Sequence, residues 1–345
     1  MQRIDLRSDT VTLPSPAMRE AMYRAELGDD MFGEDPTVNR LQEMAAERMG
    51  KEESLFVASG VMGNLVALLT HCGRGDGVLL GDNSHILLNE GGGSAALGSI
   101  YLRALPNEPD GTIAPARIER AIPDEDIHHP RVRLVCLENT HNYCNGTPLT
   151  LNYTAAVADL AHRSGLVLHL DGARIFNAAI ALGMKASDLV APADSVMFCL
   201  SKGLSCPVGS LLCGSAEFIS EARRIRKMVG GAMRQVGVLA AAGIVALDQM
   251  VDRLQEDHEN AHLLAAGIAE IPGLSLDPKT VHTNIVFFDF VASHMTIDQF
   301  LSELSKSGVL MLSLATGRIR AVTHYGIERT DVEKAVQAMR QVMAQ

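Results

Sequence analysis

Short, unbroken apolar runs separated by longer stretches of helical spacing mark the first two-thirds of the chain. Residues 55–57, 78–80, 134–138, 167–170, 196–200 and 210–213 each read as a strand buried on both faces, since a strand with one wet face would alternate apolar and polar positions. Apolar residues recur at helical spacing over 37–49, 61–70 and 153–163. Strands that alternate with helices predict a mostly parallel sheet covered on both sides. Beyond Met228-Val-Gly-Gly-Ala-Met-Arg-Gln235 the pattern changes. An Ala- and Leu-rich helical stretch over 236–271 is expected to break near Asp257. Residues 283–289 and 318–324 then read as antiparallel strands, and 297–307 and 330–343 as helices packed on one face of them. The expected organisation is an N-terminal arm over 1–35, a large α/β domain over 36–259 and a small α+β domain over 260–345. The arm is polar, holds Pro14 and Pro16, and carries the acidic stretch 28–36.

Two motifs stand where predicted strands end. Asp171-Gly-Ala-Arg174 follows the run 166–170, and Ser201-Lys202-Gly203 follows 195–200. Open α/β sheets bind ligands at the carboxyl ends of their strands. An acid and a lone lysine at such positions suit pyridoxal phosphate, which takes a lysine for its Schiff base and a carboxylate to keep its pyridine nitrogen protonated. Taken singly, Lys202 could be a solvated surface charge and Asp171 a helix N-cap. Lys202, however, sits in an apolar, Cys- and Pro-containing segment, and Asp171 follows a strand with no polar neighbour except His169. A carboxylate placed there needs a cationic partner.

Other segments add to this picture unequally. Ala58-Ser-Gly-Val-Met-Gly-Asn64 could cradle a phosphate at a helix N-terminus or be a plain strand-to-helix turn. Gly91-Gly-Gly93 lacks dinucleotide-fingerprint spacing and is assigned no cofactor role. His85 follows Gly81-Asp-Asn-Ser84, so it too lies just past a strand. His128 and His129 lie in the polar loop 123–130, where solvent exposure is the ordinary state. No carboxylate or cysteine stands at ligand spacing from them, so no metal is expected.

Composition narrows the class. The 345 residues are 47% hydrophobic and 21% charged, which suits a globular enzyme with a large core. The net charge of −11 is spread along the chain without a basic tract, which argues against nucleic acid as a partner. No apolar run approaches the roughly 18–20 residues that span a membrane, and the first residues lack the apolar core of a signal peptide. The 6 cysteines are scattered without zinc-site spacing, as in a reduced cytoplasmic protein.

Together the motifs resemble those of L-threonine aldolases, in the β-eliminating-lyase group of fold-type I pyridoxal-phosphate enzymes. The resemblance runs from Ile4-Asp-Leu-Arg-Ser-Asp-Thr-Val-Thr12 through Gly28-Asp-Asp30, Gly33-Glu-Asp-Pro36, Leu137-Glu-Asn-Thr-His-Asn142, the Asp171 and Lys202 motifs and Met228-Val-Gly-Gly231. It implies a fold-type I transferase-like α/β fold and cleavage of L-threonine or L-allo-threonine to glycine and acetaldehyde. Aldol cleavage of bulkier 3-hydroxy amino acids such as phenylserine, or β-elimination on the same cofactor, is the alternative. By the resemblance, Lys202 is the Schiff-base lysine, Asp171 the acid on the ring nitrogen and His85 the histidine stacked on the ring. His128 is the second histidine near the substrate hydroxyl. Ser8, Arg174 and Arg320 match the group that binds the substrate carboxylate. Gly60 and Val61 fall in the phosphate loop, and Arg234 matches an arginine lent by a neighbouring subunit, which implies an obligate oligomer, in this family usually a homotetramer built from dimers. The chain departs from the family at Val61 and Gly63, where the family loop usually has Thr and Ser, and at Phe32, where it often has Tyr. It also departs at Leu87 to Asn89 and in the inserted Tyr143-Cys-Asn145. These departures bear on substrate range more than on reaction type.

Overall fold

The computed structural model describes residues 3–124, 126–314 and 317–344. Seven strands build the main sheet: β1 (Glu53–Val57), β2 (Gly77–Gly81), β3 (Tyr101–Leu105), β4 (Val132–Glu138), β5 (Val167–Asp171), β6 (Ser195–Cys199) and β7 (Ser210–Gly214). Their order across the sheet is β1-β7-β6-β5-β4-β2-β3. The pairs among β6, β5, β4, β2 and β3 are parallel, while β7 runs antiparallel to both β1 and β6. The fold is thus the expected one, a mostly parallel sheet flanked by helices. Strands β2, β6 and β7 are buried at every residue, which explains their unbroken apolar sequences. Edge strand β3 carries no such signature: Tyr101 is half exposed and most of the strand meets solvent.

Four helices of the large unit matter for the site: α1 (Pro16–Arg24), α2 (Pro36–Met49), α3 (Gly60–His71) and α4 (Gly237–Gln249). Asp35 caps α2 by accepting from the Thr37 and Val38 amides, and its second oxygen accepts from Gly237 N at the start of α4. A Cβ at Gly237 would stand 2.3 Å from that carboxylate, so the junction requires glycine. The acidic stretch at 28–36 is held from inside: Arg226 donates to Asp30 Oδ2 at 2.6 Å and to the Phe56 carbonyl at 2.8 Å.

The helical stretch expected to break near Asp257 breaks earlier, between the end of α4 at Gln249 and the start of α5 (Leu254–Ala269). Asp257 lies within α5, where a helix tolerates it because Arg253, one turn back, donates two hydrogen bonds to its carboxylate. Leu254 packs in the core around the main sheet, and Ala261 onward packs in a second core. That second core is built on an antiparallel sheet of β8 (Leu274–Ser275), β9 (Ile285–Phe290), β10 (Leu312–Ser313) and β11 (Arg318–Val322). It is covered by α5, α6 (Ile297–Lys306) and α7 (Arg329–Met343). The N-terminal segment reaches both cores. Ile4 and Leu6 pack with the smaller one, where Ile4–Asp5 pairs in parallel with Val309–Leu310, and Met18 packs with the larger. Among the described residues, no helix is long and apolar enough to cross a membrane.

Candidate active site

The parallel strands deliver the chemistry. Asp171 is the last residue of β5, Glu138 the last of β4, His85 opens a one-turn helix after β2, and Lys202 follows β6. These residues line one cleft together with Ser8, Thr10, Asn89, Asn142, Tyr143, Arg174 and Arg320. The smaller unit contributes Arg320 from β11 and the N-terminal segment contributes Ser8, so the cleft lies where three parts of the chain meet.

Asp171 is wholly buried and held at both oxygens. Asn64 Nδ2 donates to Oδ2 at 2.9 Å and Ala173 N to Oδ1 at 3.1 Å. Burial, together with the neighbouring carboxylates Glu138 and Glu90, pushes its carboxyl up to about 6. Such an acid lacks a full cationic partner, the role a protonated ring nitrogen fills. The N-terminus of α3 is capped by Ser59, which accepts from Met62 N. The leading amides, Gly60 and Val61, are therefore orphan donors suited to a phosphate. Asn64 lies about one helical turn further on, so this terminus is close to Asp171. A Cβ at Gly60 would meet Cys199 Sγ at 2.8 Å, which puts the same terminus against the end of β6, three residues before Lys202. Acid, lysine and anion cradle thus fit pyridoxal phosphate.

His85 is oriented by Glu90, whose Oε1 accepts from Nδ1 at 2.9 Å. That bond raises the affinity of the ring for a proton, against the opposing effect of burial. In the neutral ring the Nδ1 proton goes to Glu90 and leaves Nε2 as a free base. His85, Glu90 and Asp171 place ligand atoms within 4.8 Å of one another, the one such grouping among the described residues.

The two arginines differ. Arg174 makes a double bond pattern with buried Asp9, Nε to Oδ2 and Nη2 to Oδ1, both at 2.7 Å. The Arg174 guanidinium, ahead of other groups, holds the Asp9 carboxyl far below the usual carboxylate range although burial opposes it. Arg320 has no carboxylate partner among the described residues. It donates to Asn142 Oδ1 at 3.1 Å and the Arg7 carbonyl at 3.2 Å, and its Nε is buried without a partner. Arg320 therefore offers a cation to an incoming carboxylate, with Arg174 beside it. Ser8 accepts from the Thr10 amide and hydroxyl at the cleft edge.

Two expected residues are not brought to the cleft within one chain. His128 lies on an exposed loop, with Asp126 accepting from its amide and pairing with its ring at 2.6 Å, as the mostly polar sequence 123–130 favours. Arg234 points to the surface and pairs with Asp29 at 3.0 Å. Phe32 is also exposed and does not line the cleft. Conversely, Glu90 is absent from the sequence reading, and Asn64, Asp9 and Asn142 enter it only as members of motifs, without a role of their own. The available signal was polarity in otherwise apolar surroundings: Asn64 lies in an apolar helix and Asn142 in a run that becomes almost wholly buried. The inserted Tyr143 lines the cleft and donates to Asn89 Oδ1 at 3.2 Å.

Comparison with known proteins agrees with this chemistry. The Beta-eliminating lyase family matches residues 5–291. "Low-specificity L-threonine aldolase 1" of Arabidopsis thaliana is 47% identical over 99% of this chain and 97% of its own length. "Low specificity L-threonine aldolase" of Escherichia coli (strain K12) is 44% identical over 99% of both chains. Among solved structures, a threonine aldolase of Leishmania major superposes with a TM-score of 0.83 over 99% of both chains at 21% identity, a likeness of fold.

Proposed function

The chain belongs to the Beta-eliminating lyase family and is a pyridoxal-phosphate-dependent lyase, and from that premise we propose that it cleaves L-threonine and L-allo-threonine to glycine and acetaldehyde. The observation that carries this reading is the convergence of Lys202, Asp171, His85, Arg174, Arg320 and Ser8 on one cleft.

Lys202 would hold the cofactor covalently, Asp171 would pair with its ring nitrogen, His85 would lie against its ring, and the Gly60 and Val61 amides would take its phosphate. Bound there, pyridoxal phosphate supplies an electron sink for the pair released when a bond to the substrate Cα breaks. Arg320 and Arg174 fix the substrate carboxylate, with Ser8 at their side. This anchoring fixes the orientation of the substrate in the cleft. His85 Nε2 takes the β-hydroxyl proton, directly or through a water, while Glu90 holds Nδ1 and so the tautomer. General-base assistance of this kind contributes about 10²–10⁴-fold.

His128 and Arg234 act between subunits in this reading. Arg234 of one copy supplies its charge to the phosphate of another, and the loop bearing His128 must be carried to the cleft by a second copy. This makes the enzyme an oligomer with shared sites, and the resemblance favours a homotetramer. The six unpaired cysteines, all buried, support a reducing cytoplasmic setting.

Product analysis with L-threonine, L-allo-threonine, phenylserine and L-serine tests the reading. Glycine and acetaldehyde from the first two at the highest kcat/KM is the expected result. Ammonia release from serine without aldehyde from threonine assigns β-elimination instead, and a preference for phenylserine assigns the bulkier substrates.

A further inference from the structure

Behind Asp171 runs a row of buried hydrogen bonds that the chemistry above does not use. Asn64 Nδ2 donates to Asp171 Oδ2 at 2.9 Å and to Glu90 Oε1 at 2.8 Å. Asn64 Oδ1 faces His169 Nε2 at 3.1 Å. His169 Nδ1 meets Ser195 Oγ at 2.8 Å, and the same oxygen meets His71 Nε2 at 2.8 Å. His169 and Ser195 are fully buried and stand opposite each other on the parallel strands β5 and β6. His71 ends the row at the last residue of α3, half-buried, its ring stacked on Phe218 at 4.4 Å.

Proton positions follow by elimination. Carboxylates accept, so Asn64 turns its NH₂ to Asp171 and Glu90 and its carbonyl to His169. A carbonyl only accepts, so His169 carries its proton on Nε2. Burial holds His169 neutral, its pKa lowered to about 3, so Nδ1 is an acceptor and the Ser195 hydroxyl donates to it. The Ser195 oxygen is then free to accept, and His71 Nε2 is the donor. Burial lowers His71 to about 4, so it too is neutral.

We propose that Asn64, His169, Ser195 and His71 form a one-directional positioning chain in which every donor points toward Asp171, so that His71, four hydrogen bonds away, influences how firmly Asp171 holds a cation. Aligned hydrogen bonds polarise one another, and in a low-dielectric interior that reinforcement reaches the terminal acceptor. With Oδ2 engaged by Asn64 and Oδ1 by Ala173 N, the chain also sets the carboxylate plane. The proposal rests on the reading that Asp171 pairs with the ring nitrogen of pyridoxal phosphate.

The test combines the proton positions with their transmission. In ligand-free protein carrying ¹⁵N-labelled histidine, His169 and His71 are expected as neutral Nε2–H tautomers at pH 7. Ser195→Ala removes the link without touching Asp171. It should move the His169 Nδ1 resonance and raise the pyridoxal phosphate Kd about two- to tenfold, the effect of one neutral hydrogen bond. His71→Phe, made at the half-buried end, should weaken binding in the same direction, and it decides the matter should Ser195→Ala not fold. A His169 protonated on Nδ1, or charged at pH 7, overturns the polarity. Unchanged Kd and visible spectrum in folded variants overturn the transmission. Wild type that binds no pyridoxal phosphate contradicts the cofactor reading instead, and the tautomers of the ligand-free protein still decide the direction of the chain.

Discussion

Asp9 and Arg174 make the sharpest stability prediction. Their side chains are 0% and 5% exposed and meet through two bonds of 2.7 Å, with Asn284 Nδ2 adding a third contact to the carboxylate at 3.3 Å. Asp9→Asn keeps the shape but removes the charge and turns an NH₂ toward a guanidinium that can only donate. Breaking one half of a buried pair leaves the other charge uncompensated, at a cost of about 3–5 kcal/mol. The chain has no tryptophan, so urea unfolding is best followed by circular dichroism, at equal protein and cofactor concentrations because both bias the folded state. The double replacement Asp9→Leu/Arg174→Met should cost less than the sum of its single variants, by about 1–3 kcal/mol. The pH dependence has a definite sign. The folded Asp9 carboxyl lies below its unfolded value, so its contribution is present above about pH 4 and is lost as acid protonates it. Wild type should therefore lose this stability on acidification, and Asp9→Asn should not. Additive single variants, or an Asp9→Asn midpoint equal to wild type, would refute the view that this pair holds the N-terminal segment on the cleft.

Arg320→Met should lower kcat/KM for threonine about 10- to 100-fold, mainly through KM, the effect of losing a charge-assisted bond to the carboxylate; steady-state kinetics checks it. Glu90→Gln removes the main cause of the raised proton affinity of His85, so the acid limb of the kcat/KM profile should move to lower pH with a lower plateau. An unmoved limb dissociates Glu90 from the base. The six thiols are all buried, and burial pushes Cys72 and Cys144 up to about 12. Native protein should therefore react slowly with a thiol reagent, whereas unfolded protein should react at all six.

Much of this architecture is legible in the sequence because strands covered on both faces must be apolar throughout, as β2, β6 and β7 are. The same rule fails at edge strand β3, whose exposed residues need no apolar run. Asp171 and Lys202 stand out for a related reason: each charge stands at or just past the end of a buried strand, where an unpartnered charge is costly. Asn64 and Glu90 give no comparable signal. Their roles arise from contacts 107 and 5 residues away in sequence, with Asp171 and His85. Asp257 shows the limit of local propensity, since an acid that reads as a helix break is held inside α5 by Arg253. His128 and Arg234 come from the resemblance alone, and in a single chain both face solvent.

The central claim is that Lys202 carries the cofactor opposite Asp171. Its most direct test is the visible absorption of the purified protein before and after borohydride, with peptide mapping of the reduced adduct. A yellow band that borohydride abolishes, leaving the adduct on Lys202, is the predicted result. A protein that stays colourless with added pyridoxal phosphate, or an adduct on another lysine, contradicts it.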